Sequence, residues 1–138
     1  MLVYSNSIYH LLPLFEGGSM LKLAIPLLRV SNAASAEDFY CNQLGFRKEF
    51  IYCADDSQPD PCYLGLTRDR VWLHVSSFSG DGVPGAVANF MVEDVDLLHM
   101  QLVAKGVWID TGPVDQSWGT REMYVKDADG NSLRFIQQ

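Results

Sequence analysis

Cationic residues are scarce in this chain: 10 Lys and Arg stand against 17 Asp and Glu in 138 residues, a formal net charge of −7 and a pI near 4.7. A chain of that balance repels phosphate backbones and anionic lipid, and no run of Lys and Arg stands against the average, so neither nucleic acid nor a membrane is expected as a partner. Long apolar runs are missing too. The stretch "IYHLLPLF" at residues 8–15 is too short to span a bilayer, is broken by Pro13 and has no positive charge ahead of it, Lys22 being the first. It reads as neither a spanning helix nor a signal peptide. Cysteine is limited to Cys41, Cys53 and Cys62, an odd count without metal spacing. That usage suits a reducing, cytoplasmic setting better than a disulfide framework, while leaving open whether Cys53 and Cys62 face each other across a hairpin. A Gly-x-Ser-x-Gly elbow, a phosphate-cradling glycine loop and a cysteine beside an obvious base are all absent, which removes the usual signposts of hydrolase and nucleotide chemistry.

What is present is a hydrophobic content of 48%, enough to bury a core in one domain, and an internal repeat. "LAIPLLRVSNAASAEDFYCNQLGFRKEFI" and "AVANFMVEDVDLLHMQLVAKGVWID" each run apolar strand, capped helix, glycine, second strand. Asn32 and Asp94 are the N-caps, and Gly45 and Gly106 stand just past the helix ends. The spacing predicts helices over 33–43 and 95–105, with further strands at 46–53, 62–67, 70–76, 107–110, 120–126 and 132–136. In the last pair, Met123 and Val125, then Leu133 and Phe135, alternate with polar residues around the turn Asp129-Gly130-Asn131. Each half is βαβββ, with modules at about 20–79 and 83–138 of a single domain, 20–138. Residues 1–19 stand outside the repeat as an extension or leader without a catalytic role; "EGGSM" reads as a junction and Met20 as an alternative start.

"RVSNAASAEDFYCNQLGF", "VWLHVSS", "FMVEDVDLLHMQLVAKGV" and "WGTREMYVKDADGNSLRF", in this order, resemble the vicinal oxygen chelate superfamily of glyoxalases, extradiol dioxygenases and bleomycin-resistance proteins. The Trp-Gly before the last hairpin and the Asp-x-Asp-Gly-Asn turn are most similar to its bleomycin-resistance branch. The resemblance implies an α+β fold in which two tandem βαβββ modules form a curled mixed sheet with a concave cleft, commonly completed in a homodimer.

Members of that superfamily with metal chemistry place one His or Glu on each of the first, fourth, fifth and eighth strands. Period-two alternation maps those places here onto Ile25, Trp72, Val87 and Arg134, with His74 two residues along the same face as Trp72. Such a set offers no metal site, and a guanidinium opposes a nearby cation. His10 and His99 read as surface or helix residues.

No cofactor is expected, and the cleft reads as a binding site for a small molecule rather than a catalytic centre. Trp72, Phe50, Tyr63, Tyr124 and Trp118 are its candidate aromatic walls, while His74, Glu122, Arg29 and Arg134 fix the ligand's orientation. Each aromatic can equally be core packing, Trp118 least so because it sits beside Gly119 in a loop, and Glu122 and His74 read as solvated strand residues ahead of acid–base groups. Three functions stay open: a metal-independent drug- or antibiotic-sequestering dimer, a glyoxalase-type lyase, isomerase or dioxygenase-like enzyme using a divalent metal, and an accessory module acting through its dimer surface. The acidity fits a cationic ligand and the arginines an anionic one.

Overall fold

The computed structural model describes residues 20–138, so the expectations about the leader and His10 lie outside the described residues. Two βαβββ units follow one another along the chain, as the repeat predicts. The first comprises β1 (Leu27–Arg29), α1 (Ala33–Glu37), β2 (Arg47–Cys53), β3 (Cys62–Arg68) and β4 (Val71–Ser76). The second comprises β5 (Val87–Met91), α2 (Val95–Ala104), β6 (Thr111–Asp115), β7 (Arg121–Lys126) and β8 (Ser132–Gln137). Each repeat builds its own four-stranded mixed sheet, ordered β1-β4-β3-β2 and β5-β8-β7-β6, with one parallel pair where the first strand joins the last.

Both caps form as the sequence requires. Asn32 accepts from the Ser35 amide at 2.8 Å and Asp94 from the Leu97 amide at 3.0 Å, satisfying donors that a helix start leaves unpaired. The first helix keeps its α geometry only to Glu37 and continues as a π-helical stretch, Asp38–Gln43. That stretch buries Tyr40, whose hydroxyl donates to Asp127 of the other repeat at 2.7 Å.

Three expectations are corrected. The first strand is short: β1 begins at Leu27, so Ile25, which alternation placed on that strand, precedes it. The sixth strand is not 107–110 but Thr111–Asp115, within the segment that read as a turn-rich loop. Val107 is buried and Ile109 packs on the core as the chain leaves α2. Strand β6 is an edge pairing only with β7, so Pro113 is tolerated there, and the register shifts between Thr111 and Val114. Third, Cys53 and Cys62 are disulfide-bonded across the β2–β3 pair, and Cys41 alone is free. They occupy directly opposed positions, so antiparallel pairing itself brings them together.

Between the sheets and helices lies a continuous core that includes Leu28, Leu64, Leu73, Val95, Met123 and Leu133. Asn131, wholly buried, ties the repeats at their ends: its amide nitrogen donates to the Arg29 carbonyl at 2.7 Å, and its amide oxygen accepts from the Ala86 amide at 3.0 Å. The Asp-x-Asp-Gly-Asn turn is therefore a clamp between the modules, with Asp127 accepting from the Asn131 side chain at 2.9 Å and from Tyr40.

Candidate functional site

The nine candidate residues divide into two groups and one outlier. In the first sheet, register pairs Gly65 with His74 and Thr67 with Trp72, and puts Leu27 opposite His74. On the face away from the core, Phe50, Tyr63, Trp72 and His74 pack on one another. Phe50 lies parallel to Tyr63 at 6.2 Å between ring centroids and meets His74 edge-on at 5.5 Å. The Phe50 ring occupies the space a side chain at position 65 would take, since a Cβ there would lie 2.0 Å from a ring carbon. Tyr63, Trp72 and His74 are all buried. The Tyr63 hydroxyl and His74 Nδ1 share a 2.6 Å hydrogen bond, and burial pushes the imidazole pKa down to about 4, so the ring is neutral near pH 7.

In the second sheet the corresponding face carries charge. Tyr124 lies opposite Arg134, Glu122 opposite Ile136 and Val114, and Asn89 on the other side of Arg134. Alternation alone left Glu122 open to a solvated reading, but it is buried. One carboxylate oxygen accepts from Thr120 Oγ1 at 2.5 Å and Trp118 Nε1 at 2.8 Å, and the other from the Tyr124 hydroxyl at 2.8 Å. These donors, Thr120 foremost, together with the charge of Arg134, hold the Glu122 carboxyl below its usual range. These contacts favour its carboxylate form at neutral pH. The Arg134 guanidinium stacks over the Tyr124 ring, 4.7 Å from its centroid, in a cation–π contact. Its Nε is buried and has no hydrogen-bond acceptor among the described residues.

Trp118 is 66% exposed, tethered by its indole N–H to Glu122 alone among the hydrogen bonds described. Val87, Met91 and Val114 are exposed on the strands around it. Arg29 belongs to neither group: its guanidinium donates to the Phe78 carbonyl, beside the loop at Gly82. Sequence reasoning missed Thr120, whose hydroxyl completes the Glu122 shell; a hydroxyl two residues before a strand glutamate, on the same face, was the available signal.

The four strand places that hold metal ligands elsewhere in the superfamily do not fit a divalent ion here. Ile25, Trp72 and Val87 have no suitable donor, and Arg134 brings a cation engaged with Tyr124. Among the described residues no three of His, Cys, Asp and Glu gather around a common point.

Comparison with known proteins agrees with the repeat and the topology. Residues 15–138 match the family described as "Glyoxalase superfamily protein". The chain is 28% identical to the bleomycin resistance protein of Geobacillus stearothermophilus, over 83% of this chain and 96% of that protein. A bleomycin-binding protein crystallised with bleomycin superimposes with a TM-score of 0.67 at 23% identity, covering 86% of this chain and 99% of that one. TnmS3, an antibiotic binding protein from Streptomyces sp. CB03234, gives 0.65 at 23% identity over 88% and 98%. At such identities the two structures establish the fold alone. From the family match across nearly its whole length, together with the doubled βαβββ fold, the chain belongs to the glyoxalase superfamily.

Proposed function

We propose that the outer face of the second sheet binds a small organic molecule of the antibiotic class, without a metal and without transforming it. The observation that carries this reading is the buried Arg134 Nε with no acceptor among the described residues, on a guanidinium already held over Tyr124. A buried donor left unpaired costs about 1–3 kcal/mol, and a ligand carbonyl or carboxylate removes that penalty. Beside it Glu122 is locked as an anion, and Trp118 with Val114, opposite Glu122 on β6, supplies exposed apolar surface. A fixed cation, a fixed anion and an exposed indole are the parts of a site that orients an aromatic ligand bearing both charges.

The names of the relatives, bleomycin resistance and antibiotic binding, support the same class. Sequestration is the corresponding role. A homodimer belongs to this reading, because exposed apolar side chains on an open sheet face are ordinarily covered and a second copy would give the site its opposite wall.

The test is a calorimetric titration with bleomycin, and with a panel of aromatic antibiotics bearing carbonyl or carboxylate groups, before and after exhaustive chelation. Saturable binding unchanged by chelation is expected, together with a dimer by light scattering. No saturable binding across the panel, or binding that disappears with the metal, would overturn the reading.

A further inference from the structure

The sequence holds no basic run, but folding assembles a basic patch. Of the 10 Lys and Arg in the chain, Arg47, Arg68, Arg70 and Lys105 line one cavity of about 530 Å³. It lies where α2 stops, its lining includes neither Trp118 nor Glu122, and Asp69 is the one carboxylate in that lining. Arg68 is fixed there, donating to the Leu44 carbonyl at 2.6 Å and to Gln101 Oε1 at 2.8 Å, with Asp69 3.6 Å from its Nε. Asp69 and Arg70 form the two-residue turn between β3 and β4, with φ of +50° and +68°. Such a turn favours Asn-Gly, because a side chain is strained at positive φ. Arginine stands at position 70, where glycine would relax the backbone.

A second cavity of about 550 Å³ adjoins the first, sharing Arg68, Asp69 and Gln101 as its wall. Its floor is aromatic: Phe46 meets Phe90 at 6.3 Å between centroids and Phe90 stacks on Phe135 at 5.7 Å. Val71, Met91 and Leu97 line its sides, each about half exposed or more, and Glu93 and Asp94 close the far end. Basic at one end, apolar in the middle and acidic at the other, the groove has a direction. Each half lies within the volume range of small-molecule pockets.

We propose that this groove is a second ligand site, for an amphiphilic anion: an alkyl or aryl body over Phe46, Phe90 and Phe135, its carboxylate or phosphate head among Arg68, Arg70 and Lys105. The acidic far end opposes the reverse orientation of such an anion, and the basic end disfavours a cationic head in the place of the anionic one.

Decanoate, decyl phosphate, decyltrimethylammonium and inorganic phosphate serve as probes in calorimetric titrations of the full chain. Decanoate or decyl phosphate should bind one per chain, the tighter of them naming the head group, and the cationic amphiphile should bind at least roughly tenfold more weakly, because charge-assisted contacts are lost. Arg70→Gly should weaken the anionic probe roughly tenfold while raising the melting temperature, a pair of effects that a purely structural arginine would not give. Leu97→Glu, on the exposed helix face, should also weaken it. Equal binding of anionic and cationic amphiphiles, binding indifferent to Arg70→Gly, or no binding of either anionic probe would overturn the proposal.

Discussion

The outer faces of the two sheets come from the same topology and meet opposite fates. In the first sheet the central strands β3 and β4 are buried on both sides from Cys62 to Thr67 and from Trp72 to Ser76, and an aromatic cluster fills the outer face. In the second, β5 alternates exposed and buried, β8 leaves Arg134 and Ile136 half-covered, and the outer face carries an ion-and-aromatic cluster under an exposed tryptophan. A repeated fold does not have to repeat its chemistry. One copy has its outer face packed for stability, which leaves the other free to hold groups that stability alone would not choose.

Substitutions can break that comparison. The largest effect is expected for Trp72→Ala: a 4%-exposed indole leaves a cavity, and unfolding in urea should reveal a loss of about 3–5 kcal/mol. A loss below about 1 kcal/mol would mean that the first face is not a packed layer. Gly65→Ala should come next, at about 1–3 kcal/mol, since the new methyl has to displace the Phe50 ring.

Acid titration separates the two faces by where each loses stability. The His74 pKa is about 4 in the folded chain against 6.5 in the unfolded one, so both states are neutral above 6.5 and stability is full there. As pH falls from 6.5 toward 4 the unfolded state takes up a proton that the folded state refuses, and stability drops by on the order of 1–3 kcal/mol. Glu122 behaves differently, its depressed carboxyl giving way only below the ordinary carboxylate range. Urea midpoints between pH 7.5 and 4 should fall in the native chain and stay flatter in His74→Gln; parallel curves would remove His74 from the account. The smallest stability effect belongs to Trp118→Ala, under about 1 kcal/mol because water replaces an exposed indole, whereas binding at the second sheet should weaken by about 1–3 kcal/mol. A melting temperature far below the native one would place Trp118 among the packing residues instead.

Much of the scaffold was legible because its signals are local. Asn32 and Asp94 announce helix starts, Gly45 and Gly106 take φ of +79° at the matching ends, and the alternation of Met123, Val125, Leu133 and Phe135 marks the buried side of the last hairpin. Alternation also told which residues share a face. It could not tell what covers that face, and so did not show that Trp72 is packed or that three donors converge on Glu122, whereas the loop beside Gly119 had already marked Trp118 as the aromatic least suited to the core. Strand β6 was missed because Gly112 and Pro113 read as punctuation, and only its place at the sheet edge makes them acceptable. The basic cavity was hidden for a different reason: its cations come from β2, the β3–β4 turn and the end of α2, far apart in the chain.

That edge position carries a further consequence. An outermost strand offers its free backbone groups to any strand that drifts past, the first step toward aggregation. In β6 the offer is spoiled twice, by Pro113, which has no N–H to give, and by the irregular register that interrupts the ladder beside it. Strand β2, outermost in the first sheet, carries Arg47, Lys48 and Glu49 in succession, charges that resist burial against a stranger. The chain can therefore leave a broad sheet face open for a ligand or a second copy while these two flanks resist unlimited lateral growth.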